Sequence, residues 1–211
     1  MFGFLSLIFG FLILSIIFAK DLPRPEKFSE KQSAQSTKIY DRTGKVVLYE
    51  IYGEEKRTIV PLSAMPDRLK QAVIATEDAN FYEHFGIDPM AILRSVLINL
   101  KLKKASYGGS TISQQLIRSA YFSNEKTFQR KIKEIILALE LDRRYPKDQI
   151  LEWYLNQIPL GSNTYGVESA SQTYFQKPVS EVSLAEAAAL VALIRAPSFL
   201  SPYGDYKDNL L

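Results

Sequence analysis

Residues 2–19, FGFLSLIFGFLILSIIFA, run for eighteen positions without a charged side chain. Backbone placed in hydrocarbon must satisfy its own N–H and C=O groups, which restricts such a run to a helix. At ~1.5 Å rise per residue it spans roughly 27 Å, close to the ~30 Å apolar thickness of a bilayer. The expectation is a retained transmembrane anchor over residues 1–20. A cleaved signal peptide is the rival reading. Against it stand the lack of Lys or Arg before the run, the length of the run, and the absence of a clean small-x-small cleavage site. Charge does not fix the orientation, because the first basic residue, Lys20, follows the run and is itself followed by Asp21.

Beyond the anchor, residues 21–36 (DLPRPEKFSEKQSAQS) are polar, carry two prolines and show no periodicity, so they read as a juxtamembrane linker. The remainder, residues 37–211, is long enough for one domain with a sizeable core. There is no cysteine, which excludes disulfides, thiol chemistry and Cys-based metal sites. From Thr37 to Leu62 apolar and polar residues alternate around Arg42-Thr43-Gly44, predicting a β-hairpin with a third short strand near Thr58 to Val60. Everything downstream reads as helix. Pro66 and Asp67 open one that ends near Glu77; Pro89 opens another through Leu102; Ser110 or Thr111 caps a third. A long fourth covers Phe128 to Arg144, and two more cover Lys147 to Asn156 and Leu184 to Arg195, the last introduced by the capping pair Ser183 and Glu186.

Two strings carry chemistry. EDANFYEHFG (Glu77 to Gly86) places adjacent carboxylates, Glu77 and Asp78, at a helix end where the macrodipole disfavours negative charge, so their presence needs a reason other than capping. GGSTISQQL (Gly108 to Leu116) has the form of a loop entering a helix whose free N–H groups point at an anion. Gly108 and Gly109 permit close backbone approach, Ser110 and Thr111 cap, and Gln114, Gln115 and Arg118 fall where side chains reach a polar ligand. Between Lys101 and Glu134 eight Lys/Arg, Lys126 among them, face two acidic residues, a net of +6 in a chain of net +3. Such an excess fits an anionic partner or a solvated face. In RKIKE, Arg130 and Lys131 stand four and three residues before Glu134 and share its face. His84 is the only histidine, so no His-based metal cluster can form and a role in orienting the loop is expected. Phe81 and Phe85 read as core anchors of that loop, and Gly86 as a residue that permits an unusual backbone angle. The apolar and basic helix from Met90 to Leu102 fits either a membrane-surface helix or an amphipathic core helix.

The four ordered strings EDANFYEHFG, GGSTISQQL, RKIKE and KDQILEWYLNQIPLG (Lys147 to Gly161) resemble the peptidoglycan glycosyltransferases, which occur in monofunctional form and as the N-terminal half of bifunctional penicillin-binding proteins. The resemblance covers about Val60 to Pro202. The family's fifth, arginine-containing motif has no counterpart before the chain stops at DNLL, so the expectation is a nearly complete domain with its C-terminus cut short.

The resemblance implies a mainly α, lysozyme-like, two-lobed fold with a small β-hairpin. It also implies polymerisation of lipid II into β-1,4-linked glycan strands with inversion and loss of a lipid diphosphate. Glu77 would be the general base and Glu134 the second essential carboxylate. Ser110, Thr111, Gln114, Gln115, Arg118, Lys126, Arg130 and Lys131 would bind substrate and diphosphate, with Asp78, Phe81, His84, Gly86, Gly109, Glu152 and Asn156 in support. Glu134 would help place Lys131 or a divalent cation, Mg2+ or Mn2+, bridging phosphates. The implied partners are lipid II, the growing glycan strand, the membrane and other cell-wall synthesis proteins, with no nucleic acid. The implied location is the outer, periplasmic face of the bacterial cytoplasmic membrane. A lytic glycosidase and an inactive cell-wall scaffold are the competing functions.

Overall fold

The structure, a computed structural model, describes residues 37–43, 47–51, 56–103, 108–122 and 127–195. The anchor, the linker, Gly44, Lys126 and the C-terminal segment lie outside the described residues. Among those described, no helix is long and apolar enough to cross a membrane.

The expected hairpin is present. Strand β1 (Thr37–Tyr40) pairs antiparallel with β2 (Val47–Ile51), Thr37 opposite Ile51, with a register shift between Ile39 and Tyr40. The third strand corrects the sequence reading. It lies earlier, at β3 (Lys56–Arg57), and runs parallel to the distant β4 (Thr164–Tyr165) instead of joining the hairpin. Two contacts account for this. The buried Arg57 guanidinium lies 5.4 Å from the Tyr165 ring centroid. The Val60 N–H donates to Asn156 Oδ1 at 3.0 Å, and its C=O accepts from Asn156 Nδ2 at 2.8 Å, so this residue's backbone has no group left for a ladder.

Seven α-helices follow among the described residues. They are α1 (Asp67–Glu77), α2 (Pro89–Leu102), α3 (Ile112–Tyr121), α4 (Phe128–Arg144), α5 (Lys147–Gln157), α6 (Val167–Phe175) and α7 (Leu184–Arg195). Caps explain most starts. Asp88 accepts from Ala91 N–H at 2.9 Å ahead of α2, and Thr127 from Arg130 N–H at 3.2 Å ahead of α4. Ser183 and Glu186 exchange two bonds ahead of α7. Helix α6 has no counterpart in the sequence reading. Its start is set by Gly166 at φ +79°, where a Cβ would stand 2.6 Å from the Asn156 carbonyl oxygen, a tertiary constraint with no local signature.

The core forms where α3 packs on both α4 and α5 while α1 packs on α7. Ile112, Leu116 and Ile117 meet Leu137 and Leu141 on one side and Ile150, Leu151, Tyr154 and Leu155 on the other, all essentially without solvent exposure. Each fully buried aliphatic side chain contributes roughly 1.5–3 kcal/mol of transfer free energy. Helix α3 is therefore the axis of the domain, and it is the helix that GGSTISQQL enters. Helix α2 behaves oppositely. None of its residues is buried, and Met90, Leu93, Val96, Leu97 and Leu100 are all exposed, so of its two sequence readings the core helix is discarded.

Candidate active site

Glu77 is the last residue of α1 and Asp78 its C-cap. Asp78 is buried and accepts from the Ile112 N–H at 3.0 Å, while both of its oxygens lie within 3.0 Å of His84 Nε2. Its carboxylate thus ties the end of one helix to the positive start of another, with the sole histidine as second partner. Phe81 is fully buried beneath this loop. Phe85 is not: 81% of it is exposed, which corrects its reading as a core anchor. Their neighbour Gly86, at φ +82°, lies against α4, where a Cβ would stand 2.5 Å from the Ala138 carbonyl oxygen. The loop approaches α4 too closely for any other residue to fit without displacement.

Thr111, rather than Ser110, caps α3. It accepts from Gln114 N–H, its own N–H donates to Gln114 Oε1, and its hydroxyl donates to the Gly86 carbonyl at 2.6 Å. Ser110 is left to accept from Lys131 Nζ at 2.8 Å. The same ammonium reaches Gln114 Oε1 and Glu134 Oε2, each at 3.3 Å. Arg130 lies 3.4 Å from the other Glu134 oxygen. Burial holds the Lys131 pKa below the ordinary lysine value; Glu134 opposes that shift, and the nearby Arg118 and Arg130 reinforce it. The buried Glu134 is thus matched by two cations, the arrangement a desolvated carboxylate requires.

Glu77 belongs to a separate chain of bonds. Gln115 Nε2 donates to Glu77 Oε2 at 2.8 Å, and Gln115 Oε1 accepts from the Tyr154 hydroxyl at 3.1 Å. The second Glu77 oxygen, Oε1, is buried and has no hydrogen-bond partner. Glu77 lines a cleft of about 260 Å³ together with Asn80, Arg94, Ser95 and the Gly108–Thr111 turn. Gly109 keeps that turn tight against α2, since a Cβ there would stand 2.9 Å from Ile92 Cα.

The structure therefore gathers Glu77, Asp78, His84, Gly86, Gly109, Ser110, Thr111, Gln114, Gln115, Arg130, Lys131 and Glu134 around the start of α3. Glu152 and Asn156 stand elsewhere. They bind the incoming strand, Glu152 through the Leu62 N–H at 2.8 Å and Asn156 through Val60. Sequence reasoning missed Asn80, Arg94 and Ser95 as cleft residues, because their types have no marking outside the fold. It also missed Asp142, which accepts from Ser113 Oγ at 2.8 Å and from Lys147. The donor set around Glu134 does not fit a protein-held metal: it offers one carboxylate already matched by cations. Among the described residues no group of three or more acidic or histidine side chains is placed to hold one.

A family model described as Transglycosylase matches residues 44–210. The chain belongs to the transglycosylase family. Penicillin-binding protein 1A of Aquifex aeolicus is 44% identical to it over 199 residues, covering 94% of this chain and 27% of that protein. Its counterpart in Vibrio cholerae is 41% identical over 195 residues, covering 92% and 23%. The chain thus spans about a quarter of the length of the curated relatives it matches. A crystal structure of penicillin-binding protein 1A from Haemophilus influenzae aligns with 82% of the chain at 26% identity and a TM-score of 0.40. The matched residues include both Glu77 and Glu134.

Proposed function

We propose that this transglycosylase domain joins lipid II-type precursors into β-1,4-linked glycan by inverting displacement of a lipid diphosphate. In this reading the Glu77 carboxylate takes the proton of the acceptor 4-hydroxyl. The acceptor oxygen bonds to the donor's anomeric carbon from the face opposite the diphosphate, and the carbon–diphosphate bond breaks. The departing anion is met by Lys131, Arg130 and Arg118 and by the Gly108–Thr111 turn, which supply fixed charge where negative charge develops. Glu134 holds the Lys131 ammonium in place from its buried side. Any divalent cation would take most of its ligands from the phosphates and water, and no step here depends on one. The mainly helical core supports the lysozyme-like, two-lobed reading of the fold.

The observation that carries the proposal is that Glu77 shares one cleft with the Gly108–Thr111 turn, whose Ser110 accepts from the Lys131 ammonium. The apolar outer face of α2 and the uncharged run at residues 2–19 support a membrane-held enzyme whose substrate carries a lipid. Other cell-wall synthesis proteins on the outer face of the cytoplasmic membrane are the partners this reading implies.

The test is direct. Full-length protein in membranes, given labelled lipid-linked disaccharide-pentapeptide, should yield polymer, and Glu77→Gln should retain less than about a tenth of the rate, since general base catalysis carries ~10²- to 10⁴-fold. Release of fragments from preformed glycan, with no polymer from the precursor, would establish the lytic reading instead.

A further inference from the structure

We propose that Tyr154 is a positioning residue for the reaction: by donating to Gln115 it fixes the amide that holds Glu77, and so sets the carboxylate that takes the transferred proton. This rests on Glu77 being the proton acceptor.

An amide side chain presents nearly isosteric ends of opposite hydrogen-bonding character, and its surroundings decide which end faces where. Gln115 stands between Glu77, whose carboxylate only accepts, and Tyr154, at 2.8 Å and 3.1 Å. With the hydroxyl donating to Oε1, the chain O–H···O=C–N–H···O⁻ runs in one direction and each bond strengthens the next. Without that donor, Oε1 is a half-buried carbonyl with one partner fewer, and the amide is free to turn toward another donor. Glu77 Oε2 would then lose the bond that distinguishes it from Oε1.

Tyr154 suits the task. It comes from α5, is fully buried, and is packed in the core beside α3. Burial, with the charge of Glu77 next, pushes its phenol well above the ordinary tyrosine range, so the hydroxyl keeps its proton and remains a donor. The consequence lies at Glu77. Oε2 is engaged by Gln115 while Oε1 is buried without a hydrogen-bond partner, so the Gln115 amide is the bond that sets how the carboxylate is held.

A double-mutant cycle on the full chain in membranes tests this, with Tyr154→Phe keeping the ring and removing only the hydroxyl. Tyr154→Phe should lower kcat about tenfold, the scale of one buried bond in a charged network, with KM within about twofold. In a Gln115→Ala background it should change kcat by less than about twofold, because Tyr154 acts only through the amide. Equal losses in both backgrounds, or an unchanged kcat in Tyr154→Phe, would overturn the proposal. A second measurement needs no turnover. In protein labelled with 15N-glutamine, the Gln115 side-chain amide should shift and exchange with solvent about tenfold faster in Tyr154→Phe. An unmoved amide signal also defeats the relay. If wild type makes no polymer, the polymerase reading fails, and the amide signal still decides whether Tyr154 orients Gln115.

Discussion

Asp78 stands at the C-terminal end of α1, where the helix dipole opposes a carboxylate, and at the N-terminal end of α3, where the dipole favours one. Its bond to the Ile112 N–H makes the second environment decisive. The sequence made the anomaly visible at the first helix end but could not show the second helix thirty-four residues on. Gly86 is the backbone counterpart. Gly86→Ala demands φ +82° of an L-residue and drives its Cβ to 2.5 Å from a main-chain oxygen. Urea unfolding should show a loss of about 2–4 kcal/mol. Glu140 gives a pH-dependent case. Hydrogen bonding from Arg143, with Arg144 adding to it, lowers its carboxyl from 4.5 to about 2. The folded state binds the proton less readily than the unfolded one, so this stabilisation is present above pH 4.5 and is lost as the pH falls toward 2. The group is partly exposed, so the effect should be only about 0.3–0.5 kcal/mol. Glu140→Gln should be less stable than wild type at pH 7 and equal to it near pH 2 in parallel thermal melts.

The helices whose boundaries follow from their own residues were legible. Phe128–Arg144 and Leu184–Arg195 are read from periodicity and punctuation, and the structure returns the same limits. Elements fixed by distant partners were not. Strand β3 exists because Tyr165 and Asn156 receive its surroundings, and α6 begins where Gly166 passes the Asn156 carbonyl. The same distinction holds for the site. Its strings were visible because their residue types are unusual together, whereas nothing local marks Tyr154, whose bond to Gln115 spans thirty-nine positions. The start of α3 joins local and distant determinants in a single residue, since Thr111 caps the helix and also binds Gly86 across twenty-five positions. Thr111→Val removes both bonds while keeping shape. It should cost about 1–2 kcal/mol, read as a lower urea midpoint at unchanged slope.

At the scale of the whole molecule, the apolar side chains of α2 form an outer face with nothing of the described chain over them. With residues 2–19 removed, the protein should still sediment with lipid vesicles. Leu93→Lys combined with Leu97→Lys should weaken that binding about tenfold or more, with no change in the thermal melt, because neither residue is in the core. The entry of the chain into the folded body has a mechanical meaning. Residues 56–62 are fastened to α5 and β4 by a two-residue parallel pairing, by the Asn156 amide and by Glu152. A pull from the N-terminal side loads these bonds together, in shear, and passes into the far end of α5. That load enters α5 between Glu152 and Asn156, the stretch that also carries Tyr154, so tension on the incoming strand and the placement of Glu77 share one helix.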